Sequence, residues 1–466
     1  MEPEADTRYG RIERYLDTFV NYEVLPGFGF AEAGYSLSHV EELLRRLDGP
    51  HLGPRTVHVA GSKGKGSVCA MVASALSACG LSTGLYTSPH LLHLGERIQV
   101  DGVCATPDEL LAAMEAMRPH VEAMRMEGTW RAFTYFELLT VMAFLHFRAS
   151  GVQAQVVEVG LGGRLDATNV VRPDVCVIAP ISLEHTAVLG DTVGKIACEK
   201  AGIVKRGAPV VCAPQPLEAM RVIESICGER EATLTRVGHD VTWQVVGRSL
   251  DGQTLRTHGV GGAMEFDIPL VATYEAENAA VAVAALQALR WRGVSLEPGC
   301  ISIGLGRTRW PGRFQVLARE PLLVLDGAHN PASMKRLAED VDLVRGAGDI
   351  VYVLGFSSDK DVTHSVAELS RTGGRLVLTR SSQPRALDPG VLAERISGLG
   401  IQSVCEPQPL QALLRARDMV NSSGMVVVAG SLYLVAEMLR GWDRDTTLLR
   451  RWGRAPRAVL RSPDGN

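Results

Sequence analysis

Thr56-Val-His-Val-Ala-Gly-Ser-Lys-Gly-Lys-Gly-Ser67 begins as a short β-branched apolar run, turns through three glycines, and enters the helical pattern from Val68 to Cys79. A strand that feeds a helix through glycines is the opening of a βαβ unit. Backbone N–H groups around Gly61, Gly64 and Gly66 are suited to close on phosphate oxygens, and the helix N-terminus adds positive partial charge. On this basis Gly61, Ser62, Lys63, Gly64, Lys65, Gly66 and Ser67 are expected to bind ATP, with Lys65 on the outer phosphates and the Ser67 hydroxyl on Mg²⁺. The spacing departs from the regular Walker pattern, because Val59 stands where the first glycine is due and Gly66 separates Lys65 from Ser67. A tight turn that merely enters a helix is the competing interpretation.

On either side of this stretch, from about residue 55 to residue 360, short β-branched runs alternate with longer helical patterns. That rhythm predicts an α/β fold with a parallel sheet covered by helices. Strands are expected at 56–60, 154–159, 174–181, 209–213, 322–326, 350–355 and 375–379. Thr106-Pro-Asp-Glu109 predicts a helix start, with threonine as N-cap, proline in the first turn and a capping-box glutamate. Met114, Met117 and Met124 then fall near helical spacing and are expected in the core.

At 466 residues the chain exceeds what one core usually organises. Arg307-Thr-Arg-Trp-Pro-Gly-Arg313 interrupts the periodicity, which predicts an ATP-binding domain over 1–308, a second α/β domain over 309–455 and a flexible tail over 456–466. The apolar fraction of 46%, charged fraction of 21% and net charge of -4 fit a soluble globular protein and give no reason to expect nucleic acid or a membrane as partner. No run approaches the roughly 20 apolar residues of a membrane span, and residues 1–6 lack the features of a secretory signal, so a cytoplasmic location is expected. The nine cysteines include no CxxC pair and are expected as free thiols.

Ligands of open parallel sheets sit beyond the carboxyl ends of the strands. Glu158 closes one predicted strand and is placed to complete the coordination of a phosphate-bound Mg²⁺, or else to form a salt bridge. Ser182-Leu-Glu-His-Thr186 follows another, where His185 is either a metal ligand or a satisfied polar residue. Lys200 and Lys205 lie just downstream, where a surface helix end explains them equally well.

These segments occur in order with Asn21-Tyr-Glu-Val-Leu-Pro-Gly27, Leu85-Tyr-Thr-Ser-Pro-His-Leu91, Glu96-Arg-Ile98, Phe136-Glu-Leu-Leu-Thr140 and Glu158-Val-Gly-Leu-Gly-Gly-Arg-Leu-Asp-Ala-Thr-Asn169. Later come Glu277-Asn-Ala-Ala280, Arg309-Trp-Pro-Gly-Arg-Phe314, Asp326-Gly-Ala-His-Asn-Pro331 and Gly430-Ser-Leu-Tyr-Leu434. Together they resemble the folylpolyglutamate synthase/dihydrofolate synthase family of the Mur ligase superfamily, over most of the chain. The resemblance implies an N-terminal P-loop ATPase domain of Mur-ligase type and a smaller C-terminal Rossmann-like domain. It also implies a monomeric ligase that uses ATP to join L-glutamate to folate, and to dihydropteroate, through an acyl phosphate.

By matching motif position, Ser67 and Glu158 look like Mg²⁺ ligands, His185 like a ligand of a second Mg²⁺, and Lys200 like a lysine that is carbamylated. Asn278 resembles a residue near the adenine, or a helix cap. Arg313, Asp326 and His329 resemble nucleotide contacts, or a brace and a turn. The catalytic set implied is Lys65, Lys200, His185, Asp326 and His329. For the pterin substrate the resemblance points to Ser88, His90, Thr134, Phe136, Arg164, Asp166 and Ala167, with core packing the alternative for Phe136. Two departures stand out: Ser62-Lys63 replaces the commoner Thr-Asn, and Glu184 replaces an aspartate. A Mur-type ligase for another acid, and a P-loop NTPase switch, are the rival functions.

Overall fold

The structure is a computed structural model that describes residues 8–22, 36–259 and 261–452. Its elements open with α1 (Arg8–Leu16), α2 (Ser38–Arg46), β1 (Arg55–Ala60), α3 (Lys65–Ala78), β2 (Thr83–Tyr86), β3 (Ile98–Val100), β4 (Val103–Cys104), α4 (Pro107–Glu127), α5 (Tyr135–Ala149) and β5 (Ala154–Glu158). There follow β6 (Val175–Ile178), α6 (Thr186–Leu189), α7 (Val193–Ala201), β7 (Val210–Cys212), α8 (Leu217–Glu229) and β8 (Leu234–Arg236). The eight strands form one sheet in the order β4-β3-β2-β5-β1-β6-β7-β8. β2, β5, β1, β6, β7 and β8 run parallel, and β3 pairs antiparallel with both β2 and β4. Its central strands are buried over nearly their whole length, as expected when helices cover both faces, and this is why they are rich in β-branched apolar residues.

Two layers of side chains lie side by side on one face of this sheet, since Val157 of the first and Cys176 of the second both pair in register with His58. One joins α1, α2, α4 and α5, with Met114, Met117 and Met124 all buried, as the spacing predicted. Thr106 caps α4 through its hydroxyl, which accepts from the Glu109 N–H at 3.3 Å, while Glu109 returns a bond to the Thr106 N–H at 2.7 Å. Such a cap is worth about 1 kcal/mol. The other layer gathers β6, β7, α7 and α8 around Ile196, Ile203 and Ile223.

After β8 the chain leaves the βαβ pattern. β9 (Val241–Ser249), β10 (Gly252–Gly259) and β11 (Gly262–Ile268) form a separate three-stranded sheet, in which β10 and β11 pair antiparallel, before α9 (Glu275–Trp291) and α10 (Pro298–Gly306). β9 is half-exposed and alternates, so its sequence reads unlike the central strands.

The second sheet contains β12 (Gln315–Arg319), β13 (Leu322–Leu325), β14 (Ile350–Leu354), β15 (Arg375–Leu378), β16 (Ser403–Cys405) and β17 (Met425–Ala429) in the order β12-β13-β17-β14-β15-β16. All pairs are parallel except β12 with β13. Helices α11 (Pro331–Val344), α12 (Val362–Ala367), α13 (Pro389–Ile396), α14 (Pro409–Asp418), α15 (Leu432–Arg444) and α16 (Thr446–Arg451) complete this part. All seven expected strands are present, each within two or three residues of the predicted ends.

The chain divides into two compact units. The first holds residues up to Gly247, Gln253–Pro269 and Glu275–Arg309; the second holds Arg248–Gly252, Leu270–Tyr274 and residues from Trp310 onward. The two early segments join the second unit through particular bonds: Asp251 pairs with Arg319 at 2.5 Å, and the Thr273 N–H donates to buried Asp340 at 2.8 Å. Residues 23–27 of the Asn21–Gly27 motif, the opening 1–6 and the expected tail 456–466 lie outside the described residues. Among the described residues no helix is long and apolar enough to cross a membrane.

One expectation is overturned. Cys79 and Cys300 are not free thiols but a disulfide, with their Cα atoms 5.0 Å apart. The close packing of α3 on α10 creates it: Gly304 lies so near the backbone of Ala75 that a Cβ there would collide, and Ser74 Oγ donates to Gly304 O at 2.6 Å. A pairing across 221 residues carries no local signature.

Candidate nucleotide and substrate site

The glycine turn follows β1 and is held from the strand beside it. The Ser62 N–H donates to Pro180 O at 2.8 Å, and Ser62 Oγ both donates to Ser182 O at 3.1 Å and accepts from the Ser182 N–H at 3.0 Å. Gly61 packs so closely on Ala179 that a Cβ would lie 2.7 Å from the alanine Cβ. Gly64, with φ of 79°, is the N-cap of α3 and offers no side chain to the first turn, which contains no acidic residue. The N–H groups of that turn and the helix dipole therefore favour an anion. This fits a phosphate group.

Around the Gly61 carbonyl two lysines converge. Lys65 Nζ donates to it at 3.0 Å and Lys200 Nζ at 2.9 Å. Lys65 also lies 3.9 Å from Glu158 Oε1, while Lys200 pairs with Glu184 Oε1 at 3.1 Å and Lys63 with Glu184 Oε2 at 3.6 Å. Lys200 is almost fully buried; that burial, reinforced by Lys65 and opposed by Glu184, brings its pKa down to about 8. Burial raises the Glu184 carboxyl, but the three lysines outweigh it and hold it below the usual range.

Glu158 ends β5, the neighbour of β1, and its Oε2 accepts from the Ser88 N–H at 3.0 Å. Ser88 follows β2 and Ser182–Thr186 follows β6, so the carboxyl ends of four adjacent strands supply the cluster. His185 sits at the mouth of α6 in a left-handed conformation with φ of 48°, and is exposed. Among the described residues no group of three His, Cys, Asp or Glu side chains forms a metal cluster. The oxygens present, a hydroxyl and a carboxylate, nonetheless suit Mg²⁺, which keeps several waters.

Sequence inspection did not single out Glu275. It is the first residue of α9, fully buried, and accepts from Ser67 Oγ at 2.8 Å and from Asn278 Nδ2 at 2.9 Å. Asn278 in turn lies against the glycine turn, where a Cβ on Gly64 would fall on its Oδ1. The only signal available was the i, i+3 spacing of Glu275 and Asn278, which puts both on one helical face.

The expected substrate residues are placed differently. Thr134 caps α5, its Oγ1 accepting from the Glu137 N–H at 3.3 Å, and is buried. Phe136 is half-buried against Tyr86, with ring centroids 5.9 Å apart, above Gly160. Asp166 accepts from the Leu161 N–H at 2.9 Å, the Thr168 N–H at 3.0 Å and Thr168 Oγ1 at 2.5 Å; burial raises its pKa. Ala167 is buried beside it. Arg164 is mostly exposed and pairs with Glu199 at 2.9 Å, and His90 Nδ1 accepts from Arg97 Nε at 2.9 Å. Thr134 and Asp166 thus spend polar atoms within the fold, whereas Phe136 and Arg164 keep exposed surface.

Residues 59–286 match the Mur ligase middle domain, and residues 312–432 match the Mur ligase, glutamate ligase domain. A probable bifunctional folylpolyglutamate synthase/dihydropteroate synthase of Haloferax volcanii is 36% identical over 446 residues, 94% of this chain; the chain spans 51%, about half, of that relative's length. A dihydrofolate synthase/folylpolyglutamate synthase of Bacillus subtilis is 31% identical over 438 residues, covering 93% of this chain and 98% of the relative. The chain belongs to the folylpolyglutamate synthase/dihydrofolate synthase family. A Mycobacterium tuberculosis folylpolyglutamate synthase, solved in complexes with ADP and AMPPCP, superposes with a TM-score of 0.82 at 30% identity, covering 97% of this chain and 99% of that one.

The second unit of this folylpolyglutamate synthase/dihydrofolate synthase family member carries the remaining expected residues. Asp326 follows β13, buried, with Oδ2 accepting from the Phe314 N–H at 2.8 Å and Oδ1 from the Ala328 N–H at 2.7 Å. Burial raises its pKa, and Arg313 opposes that rise. Arg313 Nη1 donates to Gly312 O at 3.2 Å and lies over Gly327, while His329 Nδ1 bonds Gly327 O at 2.8 Å. Arg313, Asp326 and His329 are thereby gathered at one strand end.

Proposed function

We propose that this chain is an ATP-dependent amide ligase, a cytoplasmic monomer, that adds L-glutamate to the carboxylate of folate and also to dihydropteroate. One observation carries this: α3 begins without a capping side chain, with Lys65 and Ser67 in its first turn and Glu158 ending the adjacent strand, in a chain of this family. ATP would be held by Gly61, Ser62, Lys63, Gly64, Lys65, Gly66 and Ser67 beside Asn278, with Arg313, Asp326 and His329 proposed as nucleotide contacts of the second unit. Ser67 and Glu158 are the proposed Mg²⁺ ligands, and His185 with a carbamylated Lys200 would serve a second ion. When bound, the metal would neutralise charge on the phosphates.

A carboxylate resists attack by an amine because its charge is delocalised and it lacks a good leaving group. In the proposed cycle it attacks the γ-phosphate in line, giving an acyl phosphate and ADP, while Lys65 balances charge on the transferred group. The unprotonated amine of glutamate then attacks the acyl carbon, and phosphate leaves. Ser88, His90, Thr134, Phe136, Arg164, Asp166 and Ala167 are proposed to position the acid, with the half-buried Phe136 ring suited to stack on a pterin.

The experiment is isotopic. Acid labelled with ¹⁸O in its carboxylate should pass label to inorganic phosphate as amide forms, and Lys65→Ala should abolish ADP release while retaining the thermal transition. Amide formation with no label in phosphate would refute the acyl phosphate. ADP release that needs neither acid nor glutamate would point instead to a hydrolase.

A further inference from the structure

We infer that His58, buried within β1, is a positioning residue for the loop 160–167 that supports the Phe136 ring. The inference rests on the acid-binding role proposed above for Phe136 and its neighbours. His58 and Thr168 are both fully buried, and His58 Nε2 lies 2.9 Å from Thr168 Oγ1. That hydroxyl donates its one proton to Asp166 Oδ1 at 2.5 Å, so toward His58 it only accepts. The His58 ring proton therefore sits on Nε2. Nδ1 is buried without a hydrogen-bond partner among the described residues, and burial, reinforced by Lys205, lowers the His58 pKa to about 3. His58 is a neutral donor of fixed direction and not a proton carrier.

The donor acts through the carboxylate. Asp166 is buried, and beyond the Thr168 hydroxyl its Oδ1 accepts from the Thr168 N–H at 3.0 Å and its Oδ2 from the Leu161 N–H at 2.9 Å. A buried carboxylate needs such donors, and successive hydrogen bonds from His58 to Thr168 to Asp166 polarise one another. Leu161 adjoins Gly160, on which the Phe136 ring lies so closely that a Cβ would fall 2.4 Å from Cζ. A shift of the loop therefore moves the floor beneath that ring. Arg164, Asp166 and Ala167, three more residues proposed to hold the acid, belong to the same loop. β1 also runs on into the phosphate turn at Gly61, so general damage to the strand would reach ATP binding as well, whereas loss of the His58 donor acts on the acid side alone.

The test compares the parent chain with His58→Leu, His58→Gln, Thr168→Val and the double variant H58L/T168V, in steady-state kinetics with ATP, glutamate and either tetrahydrofolate or dihydropteroate. A hydrogen bond between neutral groups is worth roughly two- to tenfold, so His58→Leu should raise KM for the acid about three- to tenfold and leave KM for ATP within about twofold. Glutamine places an amide N–H where the imidazole carries its Nε2–H, so His58→Gln should bring KM for the acid back to within about twofold of the parent. In the Thr168→Val background His58→Leu should add less than about twofold, because its effect passes through that hydroxyl. Nitrogen-15 NMR of the histidine-labelled parent, with the His58 signals identified by their absence from His58→Gln, should show the Nε2–H tautomer. An unchanged KM for the acid, equal rises in both KM values, additive effects of the two substitutions, or an Nδ1–H ring would each overturn the inference. If His58→Leu fails to fold, Thr168→Val with the tautomer decides: a raised KM for the acid with that for ATP unchanged supports the role, and any other pattern overturns it. A parent chain that turns over neither acid would sink the functional proposal and this inference with it; an Nε2–H ring in that inactive chain would show the network formed and so tell the two failures apart.

Discussion

Replacing Gly64 by alanine should damage the phosphate turn in two separable ways. Its φ of 79° lies in the left-handed region, where an L side chain costs about 1–2 kcal/mol. An added Cβ would also fall on Asn278 Oδ1, so Asn278 must move and release its bond to Glu275. A hydrogen bond to a charged buried group contributes about 1.5–3 kcal/mol, which puts the total near 3–5 kcal/mol. Gly207 provides the control, because its φ is 69° and a Cβ added there would meet no atom within 4 Å. Gly207→Ala should therefore bear the backbone cost alone. Thermal unfolding followed by circular dichroism should separate the two variants by roughly 2–5 °C, and only Gly64→Ala should lose nucleotide affinity. Equal melting temperatures for the two variants would refute the assignment of Asn278 as the clashing group.

Asp340, buried on α11, has its pKa raised to about 6, chiefly by burial. A carboxyl raised in the folded state contributes stability below its unfolded pKa and loses it as pH climbs through about 6. Asp340→Asn, which can still accept from the Thr273 N–H, should be more stable than the parent at pH 8 by about 2–3 kcal/mol, and not at pH 3.5; urea denaturation at both values tests this, and an unchanged pH dependence would contradict it. The Cys79–Cys300 bond closes a loop of more than two hundred residues. Removing it by Cys79→Ser should cost about 2–5 kcal/mol, and adding reductant should lower the melting temperature of the parent but not of the variant. No effect of either would show that the bond does not form in solution.

Local sequence was sufficient wherever the physics is local. β1, β5 and β6 are buried over nearly their whole length because both faces are covered, and the β-branched apolar residues this selects announce a parallel sheet. Gly61 and Gly64 mark a turn whose backbone no other residue tolerates cheaply, and Thr106-Pro-Asp-Glu109 contains its own helix cap. The methionines of α4 follow from helical spacing alone. β9 to β11 were also legible in principle, since β9 alternates and Leu250-Asp-Gly252 is a turn, but the βαβ rhythm before them set a different expectation.

What tertiary structure alone decided are partnerships across long separations. Ser67 and Glu275 lie 208 residues apart, Cys79 and Cys300 221, and neither pairing has a local signature, because packing of α3 against α9 and α10 brings them together. Thr134 also caps a helix and Asp166 also holds a buried turn, partners that reading the chain in line does not reveal. A buried polar atom takes the partner that its surroundings provide, and those surroundings exist only once the chain has folded.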